Sequence, residues 1–273
     1  MLYACGMTPH MLIFGMGYTA SRLAARLVAS GWRVTGVGRE AAGTALLALE
    51  DRPAIHAALG EATHILSSVP PAQAGGDPVL ETHGGAIARA PARWVGYLSS
   101  TGVYGDTGGA WVDEGAPVGG GRRGSRTQAD LDWQRLRADI RIFRLPGIYG
   151  PGRSALDRVR QGNAHRIALP GQIFSRIHVD DIGGAILASF DGPPGVYNIA
   201  DDLPCSQNRV IEHACALLAL PCPPLLSLEE AGLSPAALAF YSENRRVSAR
   251  RARRLLGWRP RYRTYRSGLA ACL

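Results

Sequence analysis

The sequence predicts an α/β fold, a doubly wound parallel sheet with a small C-terminal lobe. Three observations carry that prediction. Short apolar runs alternate with helix-patterned segments through the first half of the 273-residue chain. The first run, Met11 to Phe14, breaks into Gly15-x-Gly17-x-x-Ala20 where a helix pattern opens. Beyond residue 151 the pattern loosens into shorter, proline-rich elements and becomes regular again over 177–186.

A strand that ends in a glycine turn at a helix start can hold a dinucleotide pyrophosphate, the arrangement of a Rossmann-type core. Gly15 permits the tight turn, Gly17 lets the backbone approach the phosphates, and a small residue at Ala20 lets helix and strand pack closely. Free N–H groups from Gly17 through Tyr18, Thr19 and Ala20 would face the anion. Ser21 to Ser30 places Leu23, Leu27 and Val28 on one helical face, with Gly31 as a stop. The next strand spans Trp32 to Arg39. A site for NAD(H) usually ends this strand with Asp or Glu, which binds the ribose hydroxyls. Here Gly38 and Arg39 stand there, with Glu40 beside them. A guanidinium suits a 2′-phosphate, so NADP(H) is favoured over NAD(H). The other reading of Arg39 is a surface residue at a strand end.

Farther along, 41–49 is helix-like, 63–71 reads as a buried strand, 79–90 as a helix and 94–101 as a strand. A helix is expected over 122–138 through Leu131 and Leu136, then a strand over 141–145 that stops at Pro146. Ligands of parallel sheets bind outside the carboxyl ends of the strands. Ser67, Val69, Ser99 and Pro146 are therefore expected at the cofactor. We expect residues 1–10 to be a loose extension, 11–150 the dinucleotide-binding core, and 151–273 mainly a substrate lobe, with 173–200 returning to the core.

Composition narrows the classes. No apolar run approaches the length that crosses a bilayer, and the N-terminus lacks the charged and apolar regions of a signal peptide, so a cytoplasmic protein is expected. Five cysteines with no C-x-x-C pair read as reduced thiols, and no ligand set for a metal accompanies Cys215 and Cys222. The net charge of +8 is local: residues 243–266 hold ten Arg and one acid, whereas the rest holds twenty Arg and twenty-one acids. That basic stretch alternates with Val247, Leu255, Leu256, Trp258 and Tyr262, as packed elements do. It is read as a patch for an anionic substrate rather than for nucleic acid.

Five segments in order resemble one family: Gly15-x-Gly17-x-x-Ala20, Ser99-Ser-Thr-Gly-Val-Tyr-Gly-Asp106, Arg144-Leu-Pro-Gly-Ile-Tyr-Gly-Pro-Gly152, Arg176-Ile-His-Val-Asp-Asp-Ile182 and Val196-Tyr-Asn-Ile-Ala200. Over about residues 11–265 the chain resembles the atypical extended short-chain dehydrogenase/reductases, the NAD-dependent epimerase/dehydratase group. The resemblance implies a small-molecule substrate, polar and anionic or nucleotide-linked, and a homodimer as one assembly. It also implies a catalytic Ser/Thr with a Tyr-x-x-x-Lys pair, in which the ammonium lowers the phenol's pKa for proton exchange during hydride transfer. Ser100 matches the serine. Arg122 and Arg126 fall at the tyrosine and lysine positions.

All thirty basic residues are arginines, so the chain has no lysine and no shift of alignment restores the pair. Arginine can hold ribose hydroxyls, the role expected of Arg126, but it is no ordinary proton donor near neutral pH. Tyr104, Tyr149 and His178 are the residues left for proton work, each with a structural alternative. Arg122, Arg176 and His178 are candidates to bind substrate, and Arg176 could instead pair with Asp180 or Asp181. The expected protein is an oxidoreductase, epimerase or dehydratase. The alternative is a non-catalytic NADP(H) sensor that binds a protein partner.

Overall fold

The computed structural model describes residues 8–38, 46–122 and 124–273. In chain order β1 (His10–Phe14) passes through the glycine turn to α1 (Tyr18–Ala29), β2 (Arg33–Val37), α2 (Arg52–Glu61), β3 (His64–Ser67), α3 (Pro78–Arg89) and β4 (Trp94–Ser100). There follow β5 (Trp111–Val112), α4 (Gly124–Leu136), β6 (Ile140–Leu145), β7 (Gly147–Tyr149), α5 (Ala155–Arg160), β8 (Arg166–Ile167), β9 (Arg176–His178) and α6 (Val179–Ala188). The rest is β10 (Gly195–Asn198), α7 (Gln207–Leu218), β11 (Leu225–Leu226), α8 (Pro235–Tyr241), β12 (Arg246–Val247), α9 (Arg250–Leu255) and α10 (Tyr265–Ala270). These elements form two compact units.

The first unit takes the residues up to Ser99 with Ser125–Phe143 and Ser189–Val196. Its framework is the predicted parallel sheet, with strand order β10-β6-β4-β3-β1-β2. Leu12 on β1 lies opposite Thr35 on β2 and Ile65 on β3. Every residue of β1, β3 and β6 is buried, as strands covered on both faces require. On α1 the buried stripe is Ala20, Leu23, Ala24 and Leu27. Val28, expected on that stripe, is 58% exposed. It stands one helical step beyond Leu27, about 100° around the axis. The helix expected over 41–49 also fails where it is described. The Leu47 N–H donates to the Gly36 carbonyl at 3.0 Å and its carbonyl accepts from the Gly38 N–H at 2.9 Å, so Leu47 bridges to the β2 edge. Residues 41–45 lie outside the described residues.

Tyr97 of β4 stacks on Trp133 of α4, with ring centroids 5.0 Å apart and planes within 10°. The Trp133 indole N–H donates to Asp77 Oδ2 at 2.8 Å, while Asp77 Oδ1 caps α3 by accepting from Val79 and Leu80. One buried carboxylate therefore ties a helix start to the layer covering the sheet.

The second unit comprises Ser100–Gly124, Arg144–Ala188 and Tyr197–Leu273. Three short parallel pairs, β7/β9, β8/β11 and β5/β12, frame it. Leu156, Ile211, Ala214, Tyr265 and Leu269 belong to a core joining α5, α7 and α10. Ser154 and Asp157 form a reciprocal capping box on α5, and Ser206 caps α7. Among the described residues no helix is long and apolar enough to cross a membrane.

Asp77→Ala removes a helix cap and strands a buried indole donor, so it should cost about 2–4 kcal/mol in urea unfolding. Asp77→Asn, which keeps an acceptor oxygen, should cost about half as much.

Candidate nucleotide-binding and active site

In the first unit, β1 delivers the chain into Gly15 at φ +84°, a conformation that favours glycine. A Cβ there would stand 2.8 Å from Val69 Cγ2 and 3.0 Å from Ser68 Oγ. The Gly15 N–H donates to Val37 O at 2.7 Å, and Ser68 Oγ donates to Gly15 O at 2.5 Å. Three strand ends thus converge on one residue that has no side chain. Gly17 is the N-cap of the twelve-residue α1 and supplies no side-chain cap. A Cβ at Gly17 would meet nothing within 4 Å. The helix start therefore opens onto space, with its first N–H groups and the positive end of the helix dipole directed at it. Tyr18 and Thr19 are half-buried in that first turn, and Ala20 is buried against the sheet. Arg39 lies outside the described residues.

Ser67 is fully buried, and its Oγ has no hydrogen-bond partner among the described residues. Ser99 Oγ donates to Asp130 Oδ2 at 2.5 Å, and Gln134 Nε2 donates to Asp130 Oδ1 at 2.6 Å. The Ser99 hydroxyl is thus committed to α4. Arg126, also on α4, sits close enough to Tyr97 to favour its phenolate, but burial dominates and pushes that phenol well above its ordinary pKa. The structure thus contains a tyrosine beside a cation, a pairing that sequence reasoning missed. Its phenol is completely buried.

The second unit begins at the serine turn. Ser100 caps the single turn Thr101–Tyr104, and its Oγ accepts from the Gly102 N–H at 3.1 Å. Glycines pack the turn from outside: a Cβ at Gly121 would stand 2.1 Å from Gly102 O, and one at Gly105 would stand 2.2 Å from Gly120 O. Tyr104 is 4% exposed. Its hydroxyl donates to Asn198 Oδ1 at 2.8 Å and accepts from Arg144 Nη1 at 3.1 Å. Burial raises its pKa against the pull of Arg144. Tyr104 therefore fastens the turn to the end of β10 and has no proton to spare.

Tyr149 and His178 come together on β7 and β9, edge to face at 5.3 Å. His178 is buried; its Nδ1 accepts from the Asp180 N–H at 3.2 Å, and its Nε2 lies 3.6 Å from Cys272 Sγ. The Tyr149 hydroxyl is buried without a hydrogen-bond partner among the described residues. Burial raises its pKa strongly, as do the nearby Asp201 and Asp181 carboxylates, while Arg176 opposes them. Arg176 meets neither proposed aspartate. Its Nη1 donates to Phe174 O and Cys205 O at 2.9 and 3.1 Å, and its Nη2 donates to Gln207 Oε1 at 3.1 Å. Asp181 accepts instead from the Arg261 and Tyr262 N–H groups. Pro146 stands half-buried between β6 and β7, in neither strand.

Segment 243–246 opens the basic stretch that the sequence marks as a patch for an anionic substrate, but its place beside the serine turn was not visible there. Asn244 bolts it down: its N–H donates to Asp106 Oδ1, its carbonyl accepts from the Thr107 and Gly109 N–H groups, and its side chain reaches Gly171 O and the Ile173 N–H. This brings Glu243 and Arg245 to the serine turn. Arg245 Nη1 donates to Gly105 O at 2.6 Å and to Glu243 Oε2 at 2.9 Å. Glu243 Oε1 accepts from the Arg122 N–H at 3.0 Å and lies 3.7 Å from Arg122 Nε. Burial raises the Glu243 pKa, but the Arg122 N–H and the Arg245 guanidinium outweigh it and keep the carboxyl ionised. Of the predicted residues, Ser100 and Arg122 belong to this cluster. Other arginines of the basic stretch are occupied: Arg253 and Arg263 both hold Asp202, and Arg251 lies over the Tyr197 ring.

Fold and glycine turn together define an α/β protein with the fold of the NAD-dependent epimerases and dehydratases and an open helix start. The chain belongs to the family of Protein YeeZ of Escherichia coli (strain K12). The two are 30% identical over 237 residues, which cover 76% of this chain and 83% of that one. A 3-diazoavenalumate denitrifying reductase of a Streptomyces species is 29% identical over 171 residues, 56% of this chain; the match spans about half of that relative, 54%. The structure of a functionally unknown conserved protein from Silicibacter pomeroyi DSS is 43% identical with a TM-score of 0.86, covering 97% of this chain and 98% of that one. The fold is shared with a Thermotoga maritima UDP-glucose 4-epimerase solved with UDP-glucose (TM-score 0.76, 16% identity, 96% and 97% coverage). It is shared equally with a human epimerase family protein solved with NADPH (TM-score 0.76, 18% identity, 95% and 97% coverage). No family model matches the chain.

Asp201 provides a test of the second unit's interior. Its Oδ2 is buried without a hydrogen-bond partner among the described residues, and burial pushes its pKa up from 3.8 to about 7, against the Leu203 N–H and Arg176. A carboxyl with a raised folded-state pKa binds more protons in the native state, so it favours the native state at low pH and loses that advantage as pH rises. Stability measured by urea unfolding, relative to Asp201→Asn, should fall between pH 3.8 and about 7 and level off above.

Proposed function

We propose that the protein is an oxidoreductase or epimerase that uses a nicotinamide dinucleotide, with NADP(H) preferred, on a small polar anionic substrate. The observation that carries this reading is the uncapped start of α1 below Gly15 and Gly17, open where a side chain would be. The residues fit a pyrophosphate: close backbone, no side-chain cap and no competing carboxylate in the first turn. Gly15, Gly17, Tyr18, Thr19 and Ala20 would hold it, with Val69 beside Gly15 and Arg39 taking a 2′-phosphate. When bound, the cofactor supplies hydride transfer. Relatives support the class: one is named a reductase, and fold neighbours were solved with NADPH and with a nucleotide sugar.

In this reading Ser100 donates its hydroxyl proton in a hydrogen bond to the reacting oxygen, since its lone pair already accepts from Gly102. Arg126 serves the ribose hydroxyls, replacing an ammonium in charge but not in acidity. Tyr104 is fully engaged and Tyr149 is buried, so neither phenol offers a proton to a ligand in this arrangement. The same observation favours the second reading, a dinucleotide sensor without catalysis.

Calorimetric titration with NADPH and NADH on wild type and Arg39→Ala tests the cofactor. NADPH affinity should fall about tenfold or more in the variant, while NADH affinity stays unchanged. Equal affinities unaffected by the substitution would remove the NADP preference, and no binding of either would remove both readings. Consumption of bound NADPH on adding carbonyl compounds or sugar nucleotides separates enzyme from sensor.

A further inference from the structure

We infer that Arg245 and Ser100 together form a receiving site for a substrate carboxylate. This rests on the reading of the serine turn as the reacting centre and names the substrate class for it. The first argument is convergence. Ser100 Oγ and Arg245 Nη2 lie 3.2 and 4.0 Å from one point, the position a Cβ would take on Gly102. Glycine keeps that point clear.

The second argument is donor accounting. Arg245 is tied at Nη1 only, to Gly105 O and Glu243 Oε2. Its Nε and Nη2 make no hydrogen bond to the protein among the described residues, and neither is an atom sealed from solvent. These two nitrogens form the side-on edge of the guanidinium, whose parallel N–H bonds match the two oxygens of a carboxylate. The side chain is held 16% exposed by its other edge, so little freedom remains to be lost on binding. Ser100, accepting from Gly102, keeps its own proton as a third donor, which acetate alone can take and which a substrate would share between a carboxylate oxygen and the reacting oxygen beside it.

The third argument is charge. Arg122, Glu243 and Arg245 are one acid between two cations, so the cluster carries a single net positive charge. A monoanion neutralises it. A phosphate dianion would leave excess negative charge beside the buried Glu243 carboxylate. Carboxylate is therefore the anion that suits the site. Arginine here binds and orients; it does not donate a proton.

The side-chain Nε–H resonance of Arg245, assigned by its loss in Arg245→Lys, tests this by NMR with sodium acetate as probe. Acetamide and inorganic phosphate serve as comparisons at matched ionic strength. Acetate should shift that resonance saturably, acetamide should not, and phosphate should bind more weakly. Ser100→Ala, which leaves Arg245 and its carboxylate partner in place, should weaken acetate binding about threefold. A motionless Arg245 signal, tighter binding of phosphate, or a shift no larger than at the exposed Arg250 and Arg254 would overturn the assignment. NADPH added to the same samples reports on the cofactor separately. NADPH binding without an acetate response sinks this site alone, whereas an acetate response without NADPH binding sinks the dinucleotide reading.

Discussion

Gly15 is where β1, β2 and β3 are drawn together, because its backbone bonds to Val37 and Ser68 and its missing side chain makes room for Val69. Any other residue would carry a Cβ into Val69 and adopt a positive φ at a cost of about 1–2 kcal/mol. That convergence aims α1 with its first N–H groups at open space. The sheet order, the buried strands and the stripe of Ala20, Leu23, Ala24 and Leu27 all serve to hold this one turn in place.

The serine turn obeys a similar constraint with different parts. Gly105 and Gly121 approach the backbone of Gly120 and Gly102 so closely that a side chain on either would collide with it. Tyr104 and Arg144 lock the turn from below through Asn198. Segment 243–246 is fastened by Asn244 to the loops at 106–109 and 171–173. Rigid backbone on each side holds the Ser100 hydroxyl and one edge of Arg245 as uncommitted donors among the described residues. A site that binds by pre-positioned donors needs this kind of support.

What could be read from the chain alone was whatever depends on local pattern. The glycine turn, the strand ends and the absence of lysine are visible as letters, and the βαβ alternation follows from apolar periodicity. What could not be read depends on partners far away in the chain. Arg245 reaches the serine turn only because Asn244 bonds residues about 140 positions earlier. Tyr104 looks like a proton donor until Arg144 and Asn198 are seen to occupy its hydroxyl. Arg176 looked free for a substrate or an aspartate, whereas backbone carbonyls near Cys205 claim it. Leu47 read as helical because an apolar run has no single period; the open edge of β2 decided the matter.

The central claim is that the start of α1 holds a dinucleotide pyrophosphate, and amide hydrogen exchange with and without NADPH tests it most directly. Bound pyrophosphate accepts hydrogen bonds from the first-turn N–H groups, so exchange at residues 17–20 should slow by about tenfold or more in its presence. Unchanged exchange there, with protection appearing elsewhere or nowhere, would contradict the account.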